Sequence, residues 1–142
     1  MPRIDRDRLK AASFPLITTV ETRVADLDVQ GHVNNSAAVT LLQEARAHLH
    51  RVGQLAELRG GLRPMVAGLW VEYAAEIYYP GPVDVHGGIL SLGRTSYIIG
   101  QMARQAGRDC LYAEVAVALA DENGPAPLPV ALRESFGKLK IR

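Results

Sequence analysis

Between Asn34 and Gly53 the chain carries one long amphipathic helix pattern, and the apolar residues after Met65 follow a period of two. Ala38, Leu41, Leu42, Ala45, Leu49 and Val52 are spaced by 3, 1, 3, 4 and 3 residues, which draws one apolar stripe along a helix. Asn34 or Asn35 suits the N-cap, and Gly53 suits the stop. About 17 residues at roughly 1.5 Å each give a rod of about 25 Å, enough to cross a small sheet. The remaining elements must bury themselves on that rod.

The rest of the chain supplies the sheet. Residues 16 to 24 are rich in β-branched side chains, with Leu16, Val20 and Val24 on one face, and predict a first strand. From Met65 the alternation Met65, Ala67, Leu69, Val71, Tyr73, Ala75, Ile77 predicts a long strand that ends at Pro80-Gly81-Pro82. Three more strands fit Val83 to Gly93, Thr95 to Gln105 and Cys110 to Ala120, joined by short Gly-bearing turns that favour antiparallel pairing. Residues 124 to 129 hold three prolines and break the pattern, and Val130 to Phe136 predicts one or two helical turns. No domain boundary is visible, so residues 1–142 read as a single α+β domain.

Composition narrows the function classes. Sixteen basic residues against fifteen acidic ones, with 6% aromatic residues, give no basic stripe for nucleic acid or an anionic membrane. Cys110 is the one cysteine, so no disulfide forms within the chain and a packed thiol is expected. The apolar run from Met65 to Tyr79 is broken by Glu72 and Glu76, too short to span a bilayer. The first twenty residues lack the apolar core of an export signal, so a cytoplasmic location is expected. His48, His50 and His86 have no carboxylate cluster at ligand spacing, and no metal is expected.

The run Asp26-Leu27-Asp28-Val29-Gln30-Gly31-His32-Val33-Asn34-Asn35, followed on the helix by Glu44-Ala45-Arg46, resembles the active-site signature of the 4-hydroxybenzoyl-CoA thioesterase-like family. The segment Tyr73 to Val85 and the turn Gly93-Arg94-Thr95-Ser96-Tyr97 agree with the same family, so the likeness covers roughly residues 16 to 136. The resemblance implies a hotdog fold, a five-stranded antiparallel sheet wrapped around one long central helix. It also implies a homodimer or homotetramer, with thioester sites at the subunit interface.

Thioester hydrolysis needs a carboxylate and donors for the developing oxyanion. By resemblance Asp28 is the catalytic carboxylate, acting either as nucleophile through a mixed anhydride or as general base through water. The resemblance puts the Asn35 backbone N–H on the substrate carbonyl, at a helix N-terminus where free amides favour negative charge. Gln30 and His32 resemble the Asn and His that accompany the acid in the plant acyl-carrier-protein thioesterase branch, with Gln30 replacing Asn. Gly31, Val33, Asn34, Arg94, Thr95 and Ser96 are the implied substrate contacts. The substrate is then an acyl-CoA or acyl-carrier-protein thioester, with CoA entering as part of the substrate and no cofactor expected.

Several of these residues also have plainer readings. Asp26 suits a turn or a partner for Arg23, and His32 suits a loop hydrogen bond as well as orienting water. Glu44 and Arg46 fit a solvated face or an internal ion pair. Arg94, Arg104, Arg108 and the tail Lys138 to Arg142 suit CoA phosphates or simple solvation. Leu69, Trp70, Tyr73 and Tyr78 suit an acyl pocket or ordinary core. Two other activities compete: binding of acyl-CoA or another apolar ligand without hydrolysis, and hydration of an enoyl thioester, for which no His and acid pair is evident.

Overall fold

The computed structural model describes residues 4–142, so Met1 to Arg3 of the segment read for an export signal lie outside the described residues. A short helix α1 (Arg6–Ala11) precedes β1 (Leu16–Glu21), and a 3₁₀ turn (Val24–Asp26) leads through the Asp28 loop into α2 (Asn35–Val52). Then come α3 (Leu55–Leu58), β2 (Arg63–Tyr73), β3 (Pro82–Leu92), β4 (Ser96–Gln105), β5 (Arg108–Asp121), β6 (Gly124–Pro125) and α4 (Val130–Gly137). The strands form one antiparallel sheet in the order β1-β3-β4-β5-β2, with two-residue β6 pairing β5. This is the expected α+β hotdog arrangement, with the sheet curled around α2.

The helix stripe packs as its spacing implies. Ala38, Leu41, Leu42, Ala45 and Leu49 are buried against inward residues of the sheet, among them Val83, Val85, Ile89, Ile99, Ala113 and Val115. Each fully buried Leu or Ile contributes about 2 kcal/mol by removing apolar surface from water. Val52, placed on the same stripe by spacing, is 45% exposed, because α2 ends there. The N-cap is Asn34, whose Oδ1 accepts from the Ser36 N–H at 2.9 Å.

Gly53 ends the helix for a reason other than its backbone freedom. It keeps ordinary right-handed angles, while the next residue, Gln54, takes the left-handed conformation at φ 59°. A Cβ at Gly53 would stand 2.4 Å from Phe136 Cε1, so glycine is needed there to let α4 close on the helix end.

Two strands differ from the periodic reading. The first ends at Glu21, and Val24, 65% exposed, enters the 3₁₀ turn instead, because Asp26 caps the Arg23 backbone and breaks the extended run. The strand from Met65 begins two residues earlier at Arg63 and stops at Tyr73. Residues 74 to 81 form an irregular strap, although Ile77 is still buried. Ala74 and Ala75 both donate to the Cys110 carbonyl, and Gln105 clasps Tyr78 by N–H and carbonyl, so side-chain and bent contacts replace the ladder.

The outer face of the sheet also has a cover. Ile4, Leu9, Met102 and Tyr112 form a buried cluster with Phe14, Trp70, Leu90 and Ile141 against it. Glu72 anchors this cover by accepting from the Ile4 N–H and from Arg6. The C-terminal tail is part of it: the Ile89 N–H donates to the Leu139 carbonyl and the Ile141 N–H to the Ile89 carbonyl, so the tail's apolar residues serve packing. β2, at one edge of the sheet, leaves Met65, Val66, Leu69 and Tyr73 exposed.

Candidate active site

The signature folds into a tight loop at the start of α2. The Asp28 N–H donates to the His32 carbonyl at 2.8 Å, Leu27 bridges Val33, and the Asn34 N–H donates to the Asp26 carbonyl at 2.7 Å. Those rungs double the chain back and bring Asp28 beside the helix N-terminus. Gly31 at φ 82° makes the turn possible, since a side chain there would be strained.

Asp28 organises its own loop. Its Oδ1 accepts from the N–H groups of Gln30 at 2.9 Å and His32 at 3.1 Å, while Oδ2 has no partner among the described residues. The carboxylate is exposed, as are Gln30, Gly31, Asn34 and Asn35. Val33 is 4% exposed and its N–H donates to Ile77, so it anchors the loop to the strap. Asn35 is the first helical residue; its N–H has no hydrogen bond among the described residues, and its carbonyl accepts from the Tyr73 hydroxyl at 3.0 Å.

Asp26 supports this loop from below. Only 5% exposed, it accepts from the Arg23 N–H, Nε and Nη2, and the guanidinium holds its carboxyl below the usual range against the opposing effect of burial. Both of its structural readings from sequence, turn former and partner for Arg23, are seen. Nearby, His32 packs edge-on against Tyr78 at 5.1 Å and brings Nδ1 to 3.6 Å from Glu76.

One group of expected contacts does not meet Asp28 within a chain. Arg94 and Thr95 sit in the turn before β4 and Ser96 opens that strand; the Arg94 carbonyl accepts from Leu128 and that of Thr95 from Leu119. Tyr78 and the Asp28 loop are bound at the other end of β4 by Gln105. Ten residues of strand, about 30 Å, separate the two.

A polar seam lies under α2 within its apolar face. Arg46, 9% exposed, is buried with Nη1 unpartnered and its pKa lowered by desolvation. One turn on, His50 Nε2 lies 2.9 Å from the Tyr97 hydroxyl, and burial with Arg46 nearby lowers its pKa to about 4. Neither the solvated face nor the internal ion pair read for Arg46 is seen, and Glu44 is exposed. The i, i+4 spacing of Leu42, Arg46 and His50 was the available clue, since all three fall on the buried side of the stripe.

A cavity of about 600 Å³ opens at this end, lined by His50, Arg51, Leu55, Ala56, Arg59 and Pro64 among others. A second, about 240 Å³, lies between β1 and α2 beside Arg23, Asp26 and Glu44. Asp28 lines neither. No helix among the described residues is long and apolar enough to cross a membrane.

Residues 22–136 match the sequence profile of the thioesterase-like superfamily. No curated protein sequence gives a significant match. Among solved structures, a thioesterase from Thermus thermophilus, complexed with coenzyme A and zinc, is 29% identical with a TM-score of 0.81, covering 89% of this chain and 95% of its own. A predicted thioesterase from Bacillus stearothermophilus is 23% identical with a TM-score of 0.80 over 92% and 97% of the two chains. A gentisyl-coenzyme A thioesterase is 17% identical with a TM-score of 0.73 over 85% and 99%; the last two likenesses speak to the fold.

Proposed function

The chain belongs to the thioesterase-like superfamily and is a thioester hydrolase, and from that premise we propose that it cleaves acyl-CoA thioesters with Asp28 as the working carboxylate. The observation that carries this reading is the loop itself. A carboxylate steadied through one oxygen, with the other unpartnered, stands beside a helix N-terminus whose Asn35 N–H is free.

In this reading Asn35 N–H polarises the thioester carbonyl, helped by the helix dipole. Asp28 then attacks the carbonyl carbon to give a mixed anhydride, or removes a proton from attacking water; in both cases the C–S electron pair leaves on the CoA sulfur. Gln30 and His32 flank the reacting carbonyl, and Gly31, Val33 and Asn34 shape the approach. CoA enters as part of the substrate, with no separate cofactor.

The reading includes a homodimer, and the separation of the expected contacts supports it. β2 is an exposed edge whose Arg63 end lies with the Arg94 turn and whose Tyr73 end lies with Asn35. Two such edges paired antiparallel about a twofold axis bring Arg94, Thr95, Ser96 and the 600 Å³ cavity of one copy toward Asp28 of the other. The acyl group then lies in that cavity.

The test is thiol release from short, medium, long and aromatic acyl-CoAs by wild type and Asp28→Asn, with mass measured by light scattering. Loss of roughly a hundredfold or more in the variant, at unchanged melting temperature, is expected. Equal turnover by both proteins rules out the role given to Asp28, and tight binding of intact thioester without thiol release favours the non-catalytic reading. Single turnover in ¹⁸O-water tests the anhydride route, since label enters Asp28 only when water opens an anhydride at the Asp28 carbonyl.

A further inference from the structure

We propose that Glu76 is a positioning residue for His32, fixing its imidazole so that Nε2 can carry a proton beside Asp28; this rests on the thioesterase reading above. Glu76 Oε2 lies 3.6 Å from His32 Nδ1, an ion-pair distance slightly longer than a hydrogen bond. Nδ1 is shut off from water and has no other partner among the described residues. An imidazole nitrogen in that position has one acceptor to turn to, the Glu76 carboxylate. Contacts of this kind tighten when substrate closes the site.

The carboxylate is presented by a segment whose backbone is held independently of the His32 side chain. Ala74 and Ala75 donate to Cys110, Ile77 accepts from Val33, and Gln105 holds both backbone groups of Tyr78. The Tyr78 ring stands edge-on to His32, and Arg108 stacks over Tyr78 at 5.2 Å. The ring of His32 is therefore held by an aromatic neighbour while Glu76 addresses one of its nitrogens.

The consequence is a choice of tautomer. A carboxylate at Nδ1 keeps the proton there and leaves the Nε2 lone pair to react, as second partners of histidine generally do. His32 also donates its backbone N–H to Asp28, so the carboxylate and the imidazole leave the same loop. On the general-base route water's oxygen forms the new C–O bond, and the proton that Asp28 removes from it passes on to Nε2. That proton then goes to the sulfur as it departs with the C–S electron pair, and nothing is oxidised or reduced.

The experiment is ¹⁵N NMR of the His32 ring in wild type and Glu76→Gln, with kcat and KM for both and for each in a His32→Gln background. Glu76→Gln is isosteric at a half-exposed site and leaves the fold in place, which a thermal melt verifies. Expected are an Nδ1–H ring in wild type and a mixture of tautomers in Glu76→Gln. Its kcat falls roughly three- to tenfold with KM little changed, a share typical of partial loss of acid–base catalysis. Glu76→Asp recovers most of the rate, and Glu76→Gln adds nothing in the His32→Gln background. An unchanged tautomer, or the same loss in both backgrounds, overturns the proposal. The NMR result does not depend on turnover, so full activity of Asp28→Asn removes the role of Asp28 without touching this measurement.

Discussion

The Tyr73 hydroxyl donates a 3.0 Å hydrogen bond to the backbone carbonyl of Asn35, tying the free edge of the sheet to the first residue of α2. β2 otherwise touches the site through no backbone ladder, since its pairing runs to β5. The hold of the exposed edge on the proposed oxyanion donor thus rests on one side chain. Burial raises the pKa of Tyr73, so the phenol remains a donor through neutral pH.

Tyr73→Phe removes that tie and little else. We expect kcat/KM to fall roughly three- to tenfold with about 0.5–1.5 kcal/mol lost in stability, the usual worth of one hydrogen bond. Steady-state kinetics and urea melts measure both, and wild-type kinetics in the variant would show that the edge does not position Asn35.

Acid weakens the fold through His50. Its pKa is about 4 in the folded chain and about 6.5 when unfolded, so the unfolded state binds the extra proton between those values. Stability is therefore complete above about pH 6.5 and falls as pH drops toward 4, by at most on the order of 3 kcal/mol. His50→Gln keeps a partner for Tyr97 and cannot charge, so denaturant midpoints at pH 4.5 and pH 7 should converge in that variant. An undiminished difference assigns the acid sensitivity elsewhere.

Asp26 acts in a lower window. Its folded pKa is depressed chiefly by the Arg23 hydrogen bond, so its contribution is present above the ordinary carboxylate range and disappears as pH falls through the depressed value. At neutral pH Asp26→Ala strands the Arg23 N–H and loosens the turn that carries Asp28, costing about 1–3 kcal/mol. The variant should also lose activity, because the Asn34 N–H bonds to the carbonyl of this residue. A stable but inactive protein, or an unstable one with full specific activity, would separate the two effects.

Gly53→Ala pushes a methyl group into Phe136 and should cost about 1–3 kcal/mol as an overpacked contact. Phe136→Leu in the same chain makes room, so the double variant should be more stable than the sum of the single costs implies. Additive costs in urea melts would mean that the helix end relaxes without help from α4.

The strands and helices were legible where local pattern and local packing agree. The α2 stripe from Ala38 to Leu49 reads directly as a buried face, and β3, β4 and β5 lie within a few residues of their periodic bounds. The alternation through Ala75 and Ile77 misled because Ile77 is buried from a bent strap, and apolar spacing does not record where a ladder is abandoned. α1 and α3, with 6 and 4 residues, carry too few turns to leave a periodic signal. His50 and Arg46 were read one by one, whereas their burial depends on β4 lying beneath them.

Apolar spacing determined the number and kind of main elements, and the Asp28-to-Asn35 motif determined its own loop, because both depend on contacts within a few residues. The tertiary structure alone decided the strand order, which leaves β2 as an edge and sends Arg94 to the opposite end of β4 from Asp28. It alone set Glu76 beside His32 and Tyr73 against Asn35. Those pairs lie 44 and 38 residues apart in the chain, and only the closing of the sheet around the helix brings groups so distant in sequence to one place.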